Sequence, residues 1–194
     1  MTFIEKMHKM AQADKKRIVL PEGEEERTIK ASEIIKNNSL AEVILIGDAS
    51  IIKNKAAELS VNICGIEIVD PKNSEKTEVY AKEFYELRKN KGMTIEKAAE
   101  TMKDCVYFGT MMLKMGEADG MVSGAVHYTG DLLRPGMQIV KTAPGIKVIS
   151  SFFIMELPHD EYGEDGLLLF ADSAVNINPT AEELAAIAIS TDRK

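Results

Sequence analysis

With 194 residues, 45% of them hydrophobic and 28% charged, the chain can bury one sizeable core or a core and the start of a second, and is too apolar for disorder. A net charge of −7 excludes the basic surface that nucleic acid requires, although a few local arginines can still hold a small anion. No apolar run approaches the ~20 residues that cross a bilayer, and the N-terminal MTFIEKMHKMAQADKK has neither the core nor the cleavage site of a signal peptide, so the expectation is a soluble, cytoplasmic protein.

Residues 3–13 repeat apolar side chains at helical spacing. RIVL at 17–20 reads as a short strand stopped by Pro21, and residues 24–37 as a helix with acids at its start, the charge order that suits the helix dipole. EVILI at 42–46 is the clearest strand; Gly47-Asp48 turns it into a helix over 51–59. A strand at 66–69 is ended by Asp70-Pro71, and helices follow over 74–89, 94–102 and 105–115, the second capped by Thr94. Cys64 and Cys105 lack CxxC spacing and nearby His pairs, and read as two buried thiols rather than a disulfide or zinc site. Residues 118–123 form a strand reaching a loop, and 129–140 a helix whose start Pro135 leaves open. Strands at 147–155 and 167–171 precede a helix over 180–190. This alternation predicts an α/β fold with a largely parallel sheet. The composition shifts near Thr142-Ala-Pro-Gly145, giving domains at 1–145 and 146–194.

The segment ADGMVSGAVHYTGDLLRPG at 118–136 carries the most chemistry. A strand delivers a Ser/Gly loop directly to a helix start, where ligands of parallel sheets collect and where free N–H groups favour an anion. Ser123 and Thr129 add hydroxyls, and Arg134 a planar cation suited to phosphate. The same residues serve equally well as punctuation: Gly124 for a turn, Thr129 for a cap, Arg134 for a surface ion pair. The pattern is neither GxGxxG nor a Walker A loop, which leaves a nucleotide-dependent kinase poorly supported. His127, with no carboxylate partner in view, reads as a hydrogen-bonding residue, and Asp131 as support for the helix N-terminus. Arg88, Lys89 and Lys91 precede a Gly-ended helix terminus, where cations complement the dipole or touch an anionic ligand. In ADSAVNINP at 171–179, Asp172 and Ser173 stand at a strand's C-terminal end; Ser173 lacks an identifiable base and is not read as a nucleophile.

Taken together, ELRKNKGMT at 86–94, ADGMVSGA at 118–125, LRPGMQIVKT at 133–142, Pro144 with Gly145, SSFF at 150–153 and ADSAVNINP at 171–179 resemble the phosphate acetyltransferase family along nearly the whole chain. The resemblance implies a fold like that of the isocitrate and isopropylmalate dehydrogenases, two α/β domains about a cleft, with the second incomplete here. It implies interconversion of acetyl-CoA plus phosphate with acetyl phosphate plus CoA, without metal or permanently bound cofactor, CoA being a substrate, in a cytoplasmic homodimer. Arg134 then matches a catalytic arginine, and Arg88, Ser123, Gly124, His127, Thr129 and Ser173 match substrate-binding positions. The sequence departs from the family at Ser173, where many members have Cys, and at Tyr128, where a small hydroxyl residue is common. The family's base aspartate, with its neighbouring Ser-Arg, lies in a C-terminal part beyond these residues, so the expectation is a chain that is a poor catalyst alone. The rival readings are a phosphate butyryltransferase, the related domain fused to some malic enzymes, and a non-catalytic CoA- or anion-binding module.

Overall fold

The computed structural model describes residues 1–159 and 161–192, which divide into two compact units, Met1–Lys141 and Thr142–Lys194.

The first unit is built on a four-stranded sheet in the order β3-β2-β1-β4, with every neighbouring pair parallel. Its strands are β1 (Lys16–Leu20), β2 (Ala41–Ile46), β3 (Glu67–Val69) and β4 (Gly120–Met121). Val43 to Ile46 form an unbroken apolar run because helices cover both faces of this sheet. On one face Leu20, Val43 and Leu45 pack with Ile52 and Ile35, from α3 (Ala49–Glu58) and α2 (Glu26–Asn37). On the other, Val19, Ile44 and Ile46 meet a larger cluster that includes Tyr80, Phe84, Phe108, Met111 and Met112. That cluster comes from α4 (Lys76–Arg88), α5 (Ile95–Thr101) and α6 (Cys105–Lys114). Each such fully buried side chain contributes about 1.5–3 kcal/mol. Helix α6 lies so close to the sheet that a Cβ on Gly109 would stand 2.9 Å from Cγ1 of Val19.

Local chemistry sets the helix boundaries. The side chain of Thr2 caps α1 (Phe3–Ala13), and Glu5 completes a capping box. Glu25 accepts from the N–H groups of Arg27 and Thr28, so α2 begins at Glu26 rather than at residue 24. Asp48 caps α3, Thr94 caps α5 and Asp104 caps α6. A short 3-10 turn, Lys89–Lys91, extends α4 to Gly92, whose φ of +79° supplies the left-handed stop. The helix expected over 129–140 changes type midway. It runs as α7 (Thr129–Pro135), with Tyr128 rather than Thr129 at the N-cap position and no side-chain cap bond, and continues as a π-helix over Gly136–Val140. Pro135 has no N–H to give the α ladder, and the backbone resumes with Lys141 N–H bonded to the Gly136 carbonyl.

The second unit departs from the parallel pattern. Strands β5 (Phe152–Glu156) and β6 (Leu167–Ala171) form an antiparallel hairpin in which Phe153 faces Phe170, and α8 (Ala181–Asp192) packs on β6. Its connection, 157–166, is too short for the crossover that parallel strands need. The strand expected from residue 147 starts only at Phe152. The thiols also differ from expectation. Cys105 is partly buried, but Cys64 is exposed, because it lies in the turn before β3, its N–H bonded to the side chain of Asn62.

Candidate functional site

In the order β3-β2-β1-β4, the chain moves outward from β1 in one direction and then returns to β1's other side. The carboxyl ends of β1 and β4 therefore flank the topological switch point, where parallel sheets bind ligands. Strand β1 leads into Pro21-Glu22 and β4 into Val122-Ser123-Gly124, with the Val122 N–H on the Val19 carbonyl at 3.0 Å. Gly23 can be nothing larger, since a Cβ there would stand 2.7 Å from the carbonyl oxygen of Ile46.

Glu22, which the sequence reading passed over, organises this edge. Its side chain is only 3% exposed. Oε2 accepts from the N–H groups of Gly124 and Ala125 at 2.9 and 2.8 Å, and Oε1 from those of Val126 and His127 at 2.8 and 3.0 Å. The Nδ1 of His127 closes the set, 2.8 Å from Oε1. Burial pushes the Glu22 carboxyl up, but the bonds from Val126, Ala125 and His127 outweigh it and bring the group down to about 2. Arg27 braces the loop from outside, donating from Nη2 to the Ala125 carbonyl at 2.7 Å while Nε holds Glu25. The histidine without a visible carboxylate partner thus has one, separated by 105 positions in the chain.

The amides of the loop, expected to cradle a ligand anion, are already occupied by this internal carboxylate. The same holds along the edge: the helix starts of α2, α3 and α6 are filled by Glu25, Asp48 and Asp104. The start of α7, by contrast, has no side-chain cap, so its first amides are not taken by an internal carboxylate. Arg134, in the last turn of α7, is exposed, whereas Arg88, at the end of α4, is half-buried with an Nε that has no hydrogen-bond partner. Both charges act on Tyr107, whose hydroxyl meets Oε1 of Gln138 at 3.2 Å. Burial raises the Tyr107 phenol above its ordinary range, while Arg134 and, more weakly, Arg88 pull the other way. Both guanidinium charges therefore lie within electrostatic range of Tyr107.

The other expected positions are spread more widely. The Ser123 hydroxyl is buried without a partner, Gly124 has φ +119°, and Thr129 is exposed at the first position of α7. Ser173 belongs to the second unit, exposed, its hydroxyl donating to the Phe170 carbonyl at 3.1 Å. Its neighbour Asp172 does not face open solvent as a free group. It accepts from the N–H groups of Ser151, Ala174, Val175 and Asn176, and from the Ser151 hydroxyl. Burial again opposes these bonds and loses, leaving Asp172 well below the ordinary carboxylate range. Each unit therefore holds a loop after a strand by a carboxylate inserted among its amides.

A cavity of about 440 Å³ opens beside Glu22, lined by His127, Cys105, Asp104, Lys55, Lys72 and Lys103 among others. Burial, with the nearby charges of Asp104, Glu24 and Asp70, pushes the Cys105 thiol up to about 11, so it is no nucleophile at neutral pH. Among the described residues, no three His, Cys, Asp or Glu side chains converge as a metal site.

Fold and edge together define a parallel α/β protein with a loop pinned by a buried carboxylate beside a cavity at its topological switch point. The chain belongs to the phosphate acetyl/butaryl transferase family, whose model matches residues 2–194. It is 60% identical to the phosphate acetyltransferase of Clostridium acetobutylicum over 191 residues, 98% of this chain and 57% of that protein. Against the phosphate acetyltransferase of Thermoanaerobacterium thermosaccharolyticum it is 56% identical, over 98% of this chain and 58% of the relative. Solved structures agree. A phosphotransacetylase from Streptococcus pyogenes superposes with a TM-score of 0.90 at 37% identity, over 97% of this chain and 57% of the other. The EutD phosphotransacetylase from Staphylococcus aureus gives 0.86 at 34%, with 98% and 57% covered. The chain thus spans somewhat over half the length of these relatives.

Proposed function

We propose that this chain supplies the phosphate-binding side of an acyltransferase that interconverts acetyl-CoA plus phosphate with acetyl phosphate plus CoA. The observation that carries the reading is Arg88, whose Nε is buried without a hydrogen-bond partner, together with an exposed Arg134 whose charge, like that of Arg88, acts on Tyr107. A buried guanidinium N–H without an acceptor is costly, and an anionic ligand oxygen would relieve that cost.

The chemistry follows from those groups. Toward acetyl-CoA, the thiolate of CoA attacks the carbonyl carbon of acetyl phosphate, a C–S bond forms, the C–O bond to phosphate breaks, and phosphate leaves as an anion. Arg134 would face the charge that develops on the carbonyl and phosphate oxygens, where one well-placed donor is commonly worth ~3–4 kcal/mol. Arg88 and the Ser123 hydroxyl would hold the phosphoryl group, with Gly124, His127 and Thr129 shaping the rest of the loop. CoA is a substrate in this reading, not a resident cofactor. The working form would be a cytoplasmic homodimer, and domain boundaries near 145 and 146 would separate the two lobes.

Isothermal calorimetry with phosphate, acetyl phosphate and CoA tests the proposal, together with a thioester assay using acetyl- and butyryl-CoA. Arg88→Ala and Arg134→Ala should each weaken phosphate binding at least tenfold, and Arg134→Ala should lower any turnover by a factor on the order of 100. Binding of phosphate with unchanged affinity in both variants would remove the site from the arginines.

A further inference from the structure

Among the described residues Glu22 is the one buried carboxylate, and none of the segments quoted above for the resemblance contains it. We propose that Glu22 is a positioning residue of the acyl-transfer site: by taking the N–H groups of residues 124–127 and the Nδ1–H of His127 together, it fixes the loop and leaves Nε2 of His127 as the ring atom presented to the ligand. The inference rests on the function proposed above and adds to it a residue that acts through another.

The geometry allows little else. An ionised carboxylate only accepts hydrogen bonds, so the ring nitrogen 2.8 Å from Oε1 carries a hydrogen. In the neutral ring the lone pair then lies on Nε2. No partner for Nε2 is recorded among the described residues, and His127 lines the 440 Å³ cavity at the switch point. There Nε2 can accept from a thiol or a protonated phosphate oxygen, or donate to a phosphate once the ring is protonated. The four amides divide two to each carboxylate oxygen. Gln in place of Glu22 would set an amide NH2 against two of those donors and strand them. Asp would keep the charge but draw it back by ~1.5 Å, one bond length. Because Glu22 stands at the end of β1, the loop and its histidine are referred directly to the central strands rather than to the surface.

Long-range proton–nitrogen NMR spectra of the 15N-labelled chain report which ring nitrogen bears hydrogen. His127 is assigned by the signals lost in His127→Gln. The expected result is an Nδ1–H tautomer in the wild type and a shift to Nε2–H, or a mixture, in Glu22→Gln, with Glu22→Asp partly restoring the first. Calorimetry in parallel should show phosphate or CoA binding weakened about tenfold or more by Glu22→Gln, a loss of the size seen when the group orienting a metal-bound histidine is removed. Hydrogen on Nε2 of His127 in the wild type overturns the inference, as does a Glu22→Gln protein with unchanged tautomer and affinity. If Glu22→Gln does not fold, the wild-type and Glu22→Asp spectra still decide it. If the wild type binds neither phosphate nor CoA, the acyl-transfer reading fails and the site role falls with it; intact binding with the wrong tautomer condemns the positioning role alone.

Discussion

Replacing Glu22 with Gln should change not only stability but its dependence on pH. In the folded chain the Glu22 carboxyl titrates near 2, against 4.5 for an ordinary glutamate. A group whose folded value is depressed stabilises the fold above its unfolded value, and that contribution fades as pH falls toward the folded value. The interval from 4.5 to about 2 corresponds to roughly 3 kcal/mol at neutral pH. By pH 3 less than half of it should remain. Urea unfolding followed by circular dichroism at pH 7, 5, 4 and 3 measures this as the gap between wild type and Glu22→Gln. Asp172 also has a depressed carboxyl, but both proteins contain it and it cancels in the difference. The gap should be about 3 kcal/mol or more from pH 7 to 5, enlarged by the stranded amides, and should narrow steeply below pH 4.5. Two curves that stay parallel from pH 7 to 3 would refute the assignment of that charge to the loop.

Other outcomes follow from packing and exposure. Gly23→Ala forces a Cβ to 2.7 Å from the Ile46 carbonyl, and since that neighbour is backbone, denaturation should show a loss of about 1–3 kcal/mol with no change in unfolding slope. A thiol reagent should modify Cys64 in the native chain and Cys105 only after denaturant is added; mass spectrometry of the digested protein reads both sites, and equal native rates would contradict their different burial.

The parallel sheet was legible because strands covered on both faces read as unbroken apolar runs, and Val43 to Ile46 is such a run between turn signals. A helix start was legible where the capping side chain lies next to its amides, as at Thr94, whereas Asp48 was read only as a turn and α3 begins two residues before the expected 51. The role of Glu22 was not legible, since its partners lie 102 to 105 positions away. The available signal was slight: a carboxylate directly after a buried strand, between proline and glycine. The hairpin could have been read from the length of 157–166, but apolar runs alone do not reveal strand direction. Arg88 and Arg134 stood out as cations in sequence, yet their shared influence on Tyr107 depends on how α4, α6 and α7 pack.

The hairpin of the second unit has a thermodynamic corollary. Phe153 and Phe170 are 58% and 53% exposed, and Ile154, Met155 and Leu169 are likewise largely in contact with solvent. Apolar surface already hydrated in the folded chain adds nothing to the heat-capacity increase on unfolding, so these residues should add less curvature to the temperature profile than their composition implies. Calorimetric enthalpies would then vary gently with temperature for this segment and more steeply for the sheet around β1.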